Sequence, residues 1–90
     1  MVVNGHIHNY ERFTEMNAEG AAASPGLREI VAGTGGVNHD GYVRSVSTSE
    51  VLDADTYGVL KLILSPASYS WQFIPVAGES FTDSGTTSCH

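Results

Sequence analysis

The sequence predicts a mostly β chain that ends in an antiparallel hairpin, and three observations lead there. Residues 68–76 alternate cleanly, with Tyr69, Trp71 and Phe73 on one side and Ser68, Ser70 and Gln72 on the other. That period of two is what a strand with a single buried face requires. Residues 57–65, immediately before, are apolar on both sides, and Pro66-Ala67 separates the two runs with a tight turn. Pro66 suits the first central position of such a turn because its ring fixes φ. Finally, the chain carries ten glycines and only four Lys and Arg, with few runs that favour a helix.

Taken in order, Met1-Val2-Val3-Asn4-Gly5 reads as the end of a short buried strand. Residues 14–26 hold an Ala run bracketed by Gly20, Pro25 and Gly26, which favours a loop. Residues 27–33 form a second strand, closed by Gly33-Thr34-Gly35-Gly36. That glycine string lacks the Lys-Ser/Thr ending of a phosphate-binding loop, so it reads as a close-packed turn. Residues 37–56 are polar and irregular, with a short strand at 42–46. Leu60, Leu62 and Leu64 face one way from the next strand, Val59 and Ile63 the other, which suits an interior strand covered on both sides. The aromatic stripe of Tyr69, Trp71 and Phe73 belongs to the core. Residues 78–90, rich in Gly, Ser and Thr, lie extended over the surface.

Ninety residues make one small unit that buries only about 60–65% of its unfolded surface. A net charge of -6, with Arg12, Arg28, Arg44 and Lys61 scattered, argues against nucleic acid as a partner. No stretch reaches the roughly 18 apolar residues of a membrane span. Cys89, the single cysteine, allows no intrachain disulfide and sits in a terminal tail unsuited to holding a nucleophile.

The most informative string is Gly5-His6-Ile7-His8. On extended backbone, residues i and i+2 share a face roughly 6.6–6.8 Å apart at Cα. Two imidazoles so spaced can converge on one metal ion or reach two ions about 3.5–4 Å apart; they can equally be two exposed loop histidines. Gly5 lets the backbone turn just before them.

The longer block Gly5-His6-Ile7-His8-Asn9-Tyr10-Glu11-Arg12-Phe13 resembles the Gly-His-x-His-x-Tyr-Glu-Arg block of the calcineurin-like metallophosphoesterases, especially the purple-acid-phosphatase-like branch. The likeness continues through residues 28–36, Tyr57-Gly58-Val59-Leu60-Lys61-Leu62, Trp71-Gln72-Phe73-Ile74-Pro75-Val76 and Phe81-Thr82-Asp83-Ser84-Gly85, and breaks mainly at residues 14–26 and 37–50. The resemblance implies an α/β parent, a two-sheet sandwich with metals at the strand ends, of which residues 1–90 are the C-terminal, mostly β segment of an incomplete domain. It implies that His6 and His8 each give a nitrogen to one ion of a dinuclear site of Fe, Zn or Mn, neither acting as nucleophile, so that no catalytic residue is assigned. The substrate would be a phosphate ester. Tyr10, Glu11 and Arg12 would stand just outside the ligands, with a Glu11-Arg12 pair steadying the ligand loop; Arg12 as a phosphate clamp and an ordinary solvent-facing pair are the other readings. The family branch also implies secretion to the extracellular space.

Such families supply most of their ligands from Asp-x-His, Gly-Asp-x-x-Asp and Gly-Asn-His-Asp/Glu blocks upstream of Gly-His-x-His. Val37-Asn38-His39-Asp40 has a valine for the glycine of the last block and follows His8 where the family places it before, so it reads as a chance match in a polar loop. His90 is likewise set aside as a ligand. Two histidines fall short of the three or four protein ligands of a usual site. The chain is therefore expected to be inactive alone, with strand edges open to self-association. The alternative is a small non-catalytic β-rich module that binds a metal or a partner. Ala67 departs from a glycine common after the proline, and would cost on the order of 1 kcal/mol if the turn needed a positive φ.

Overall fold

The computed structural model describes residues 1–41 and 43–90. Among them are seven strands and no helix: β1 (Val2–Asn4), β2 (Tyr10–Phe13), β3 (Glu29–Ala32), β4 (Ser49–Asp53), β5 (Gly58–Leu64), β6 (Ser68–Pro75) and β7 (Ser84–Ser88). They form two sheets, ordered β1-β3-β2-β4 and β5-β6-β7. In the first, β1 runs parallel to β3 while β2 lies antiparallel to both β3 and β4. The second is antiparallel throughout.

The inner faces of the two sheets meet in a small core. Tyr10 and Ile30 from one pack with Trp71 and Phe73 from the other, flanked by Ala32, Val51, Leu60, Leu62, Tyr69 and Phe81. Tyr10, Phe73 and Phe81 lie in mutual aromatic contact at centroid distances of 4.8 to 5.7 Å. Each large apolar side chain so buried contributes about 1.5–3 kcal/mol. The alternation along β6 therefore reads out correctly, with Trp71 and Phe73 buried and Gln72 and Ile74 exposed.

The hairpin over β5 and β6 pairs Gly58 with Pro75 through Leu64 with Tyr69, and the Ser65 N–H donates to the Ser68 carbonyl across the turn (2.9 Å). No non-glycine residue among those described has a positive φ, so Ala67 carries none of the penalty attached to a left-handed turn.

Several elements differ from the sequence reading. β1 is exposed along its length rather than buried, and β2 is a strand that the sequence reading does not include. β5 is an edge strand, not an interior one: Val59 and Ile63 are exposed, and only Leu60 and Leu62 face the core. Its outward face is mixed, with Lys61 exposed between Val59 and Ile63. Residues 84–88 do more than lie on the surface, since they pair with β6 as β7. Gly85 opposes Trp71 there, and a Cβ at that position would overlap the indole ring. The short strand at 42–46 falls partly on Tyr42, outside the described residues, and residues 43–46 form no strand. Strand pairing comes just later, at β4. Residues 14–26 are a loop as expected, pinned by single bridges from Met16 to Ala22 and Leu27.

Candidate functional site

Because β1 and β3 are parallel, their carboxyl ends lie side by side, Asn4 beside Val31. Two loops leave that edge, residues 5–9 carrying His6 and His8, and residues 33–40. Gly33 makes their close approach feasible: its N–H donates to the Asn9 carbonyl (2.9 Å), and a Cβ there would overlap the carbonyl oxygens of Gly5 and Ile7. Only glycine fits. Thr34, buried, donates its hydroxyl to the Gly58 carbonyl (3.0 Å) and accepts the Gly58 N–H (3.1 Å), tying this loop to the second sheet. Gly33-Thr34-Gly35-Gly36 is thus a packing turn.

The histidines are not arranged by strand alternation. Residues 6–9 bend away after β1, with the Asn9 N–H donating to the Ile7 carbonyl (2.9 Å). His6 is exposed, whereas His8 is half-buried and held by the segment that follows the glycine turn. The His8 N–H donates to the Asp40 carboxylate (2.9 Å), and its ring Nδ1 lies 2.8 Å from the Asn38 carbonyl oxygen. A carbonyl can only accept, so in this contact Nδ1 is the donor. The His39 ring stacks on Tyr57 at 4.1 Å, with Nδ1 3.2 Å from the His8 carbonyl. Residues 38–40 pack onto His8 in three dimensions, a contact that their order in the chain does not reveal.

A metal-ligating histidine commonly donates its second ring N–H to a carbonyl or carboxylate, and His8 has that arrangement. His8 fits a ligand's role. No group of three or more His, Cys, Asp or Glu that could hold an ion occurs among the described residues. His6 is exposed on the same loop, with no ring contact among the described residues that directs it toward His8.

Tyr10, Glu11 and Arg12 sit on β2, where successive side chains face opposite ways. Glu11 and Arg12 accordingly do not pair with each other. Glu11 accepts a hydrogen bond from the Ser49 hydroxyl, while Arg12 turns inward to Asp83 and Glu50. This corrects the expected Glu11-Arg12 pair and puts Arg12 in an inter-sheet anchor. Asp83 is the hub of that anchor. Its Oδ2 accepts from the Tyr10 hydroxyl (2.6 Å), Arg12 Nε (2.7 Å) and Trp71 Nε1 (3.1 Å), and its Oδ1 from Arg12 Nη2 (3.2 Å). Arg28 donates to Glu50 (2.9 Å) and to the Phe13 carbonyl (2.7 Å), and both guanidinium groups lie 5.1 Å from the centre of the Trp71 ring.

Burial alone would raise the Asp83 carboxyl, but the hydrogen bonds from Arg12, Tyr10 and Trp71 and the Arg12 charge outweigh it and hold Asp83 below the usual range. Glu50 is likewise lowered by Arg28 and Arg12 against its own partial burial. The Tyr10 hydroxyl is pushed well up, first by burial and then by donating to Asp83. Asp83 had no assigned role in the sequence, because nothing local marks a carboxylate 71 residues from its arginine.

Comparison with protein-family models, curated proteins and solved structures finds no match to the chain.

Proposed function

We propose that this chain is the C-terminal part of a metal-dependent phosphoesterase, contributing His6 and His8 as ligands for phosphate ester hydrolysis and lacking activity alone. The observation that carries the reading is the Gly-His-x-His string at the carboxyl edge of the parallel pair β1 and β3, with the His8 ring already held through Nδ1. Carboxyl ends of parallel strands are where α/β sheets gather their ligands. A parallel pair beside a missing layer is also consistent with an α/β parent, whose helices would cover faces left open in these 90 residues.

In such an enzyme, His6 and His8 would each meet one ion of a dinuclear Fe, Zn or Mn centre, with further ligands from residues outside this chain. When bound, the ions lower the pKa of an attacking water and neutralise phosphoryl charge. The role of this chain is to aim two imidazoles. Tyr10 and Arg12 support that aim at a distance, since the strand that follows the histidines is fastened to the second sheet through Asp83. Glu11 contributes by fastening β2 to Ser49 at the start of β4. By the same family likeness the parent would be secreted.

The second reading is a β-rich metal-binding or interaction module that works alone, and the exposed Val59 and Ile63 on β5 favour it. Zinc titration of the 90-residue chain separates the two. The phosphoesterase reading predicts weak binding that requires both His6 and His8, well short of the about 10–16 kcal/mol of a complete four-ligand site. Tight, stoichiometric binding, or hydrolysis of a chromogenic phosphate ester by these residues alone, would overturn it.

A further inference from the structure

The loop after the glycine turn contains residues that the phosphoesterase reading leaves without a task. Asn38 and Asp40 stand 30 and 32 residues from His8, yet both reach it. The Asn38 carbonyl meets the ring at Nδ1, the Asp40 carboxylate takes the His8 backbone N–H, and its other oxygen lies 3.9 Å from the same Nδ1. The Asp40 N–H returns toward the His8 carbonyl at 3.4 Å, and His39 Nδ1 lies 3.2 Å from that carbonyl. His39 is itself fixed by stacking on Tyr57. Ring, backbone N–H and backbone carbonyl of His8 are therefore all engaged from a single segment.

We propose that Asn38, His39 and Asp40 form a positioning clasp that locks His8 in the Nδ1–H tautomer and so presents Nε2 as the ligand atom. The clasp rests on the reading of His8 as a metal ligand for its purpose, but its existence is a property of the free chain. Neither neutral tautomer is imposed on an imidazole until a partner fixes one nitrogen. Here the partner is a backbone carbonyl, which no side-chain substitution at Asn38 removes; the carboxylate of Asp40 keeps the carbonyl's segment against the histidine loop. His6 is exposed and has no ring hydrogen bond among the described residues, so the lock is specific to the second histidine.

The test is long-range proton–nitrogen NMR of the 90-residue chain without metal, which reads the protonation pattern of each histidine ring separately. The expected result is a His8 ring with a protonated-type Nδ1 and an unprotonated-type Nε2, beside a His6 ring showing values averaged over both tautomers. Asp40→Ala should release His8 to averaged values while the Trp71 indole signal, which reports the folded core, stays in place. Asp40→Asn keeps an acceptor for the His8 N–H and should retain most of the lock, which a merely structural acidic residue would not predict. With Zn²⁺ alone as probe, Asp40→Ala should weaken the response at His8 Nε2 by about tenfold, the scale for losing a group that orients a ligand. Averaged His8 values in the unsubstituted chain, or a proton on Nε2, would overturn the clasp. This readout involves no phosphate ester, so failure of the clasp and failure of the phosphoesterase reading are separate results.

Discussion

Replacing Asp83 with alanine should remove a large share of this chain's stability. The carboxylate accepts four hydrogen bonds, from Tyr10, from Trp71 and twice from Arg12, and its side chain is only 10% exposed, as is 13% of Arg12. Breaking a buried pair by removing one partner costs about 3–5 kcal/mol because a charge is left unpaired. Arg12 retains Glu50, so the lower end applies to the ion pair. The Tyr10 hydroxyl and the Trp71 N–H are left unsatisfied too, at about 1–3 kcal/mol for each buried group before relaxation. Solvent reaching the vacated space offsets part of this, and the terms do not add fully. A total of about 3–4 kcal/mol is expected, against about 5–13 kcal/mol for a typical domain of this length. Urea unfolding followed by Trp71 fluorescence measures it directly, since Trp71 is the single tryptophan. At a slope of roughly 1 kcal/mol per molar, the midpoint should fall by about 3 M. A loss under about 1 kcal/mol would refute the anchor's role in joining the sheets.

The same anchor sets a pH window. Asp83 and Glu50 have folded values below their unfolded ones, so their stabilisation is present above about pH 4–5 and is lost as the pH falls through the depressed values; acid titration of thermal stability should display that descent. Tyr10 has a raised value, so its contribution is intact below about pH 10 and is lost as the pH rises beyond that, where only the unfolded hydroxyl ionises readily; a tyrosinate absorbance titration compared with that of Tyr10→Phe should find Tyr10 resisting ionisation until unfolding. Gly33→Ala should destabilise the fold by about 1–3 kcal/mol and displace the histidine loop, because the new methyl overlaps the Gly5 and Ile7 carbonyls; loss of the His8–Asn38 contact in NMR would accompany it. His6→Ala, at an exposed position, should change stability by no more than about 0.5 kcal/mol, which denaturant melts can check.

The β6 strand was legible because every second side chain is aromatic, and burial selects one face of a strand. The hairpin turn was legible because proline fixes φ and two apolar runs flank it. β2 was not, because Tyr10-Glu11-Arg12-Phe13 alternates without an apolar face: Arg12 points inward, and only a carboxylate brought from β7's approach makes that tolerable. β5 misled for the opposite reason, since Val59 and Ile63 are apolar yet exposed, and sequence periodicity cannot tell a covered face from one left open. At the site, the two histidines stood out from their spacing, but their holder did not. Asn38 and Asp40 acquire meaning only once β3 runs parallel to β1 and delivers its loop to the same edge.

A ligand's role for His8 is tested most directly by hydrolysis of a chromogenic phosphate ester by the protein extended upstream of Met1. The extended protein should turn over the ester, and His8→Ala should lower kcat/KM by more than about 100-fold, beyond what losing an orienting neighbour causes. Unchanged hydrolysis in His8→Ala, or an upstream sequence with neither Asp-x-His nor Gly-Asn-His-Asp/Glu and no turnover, would contradict it.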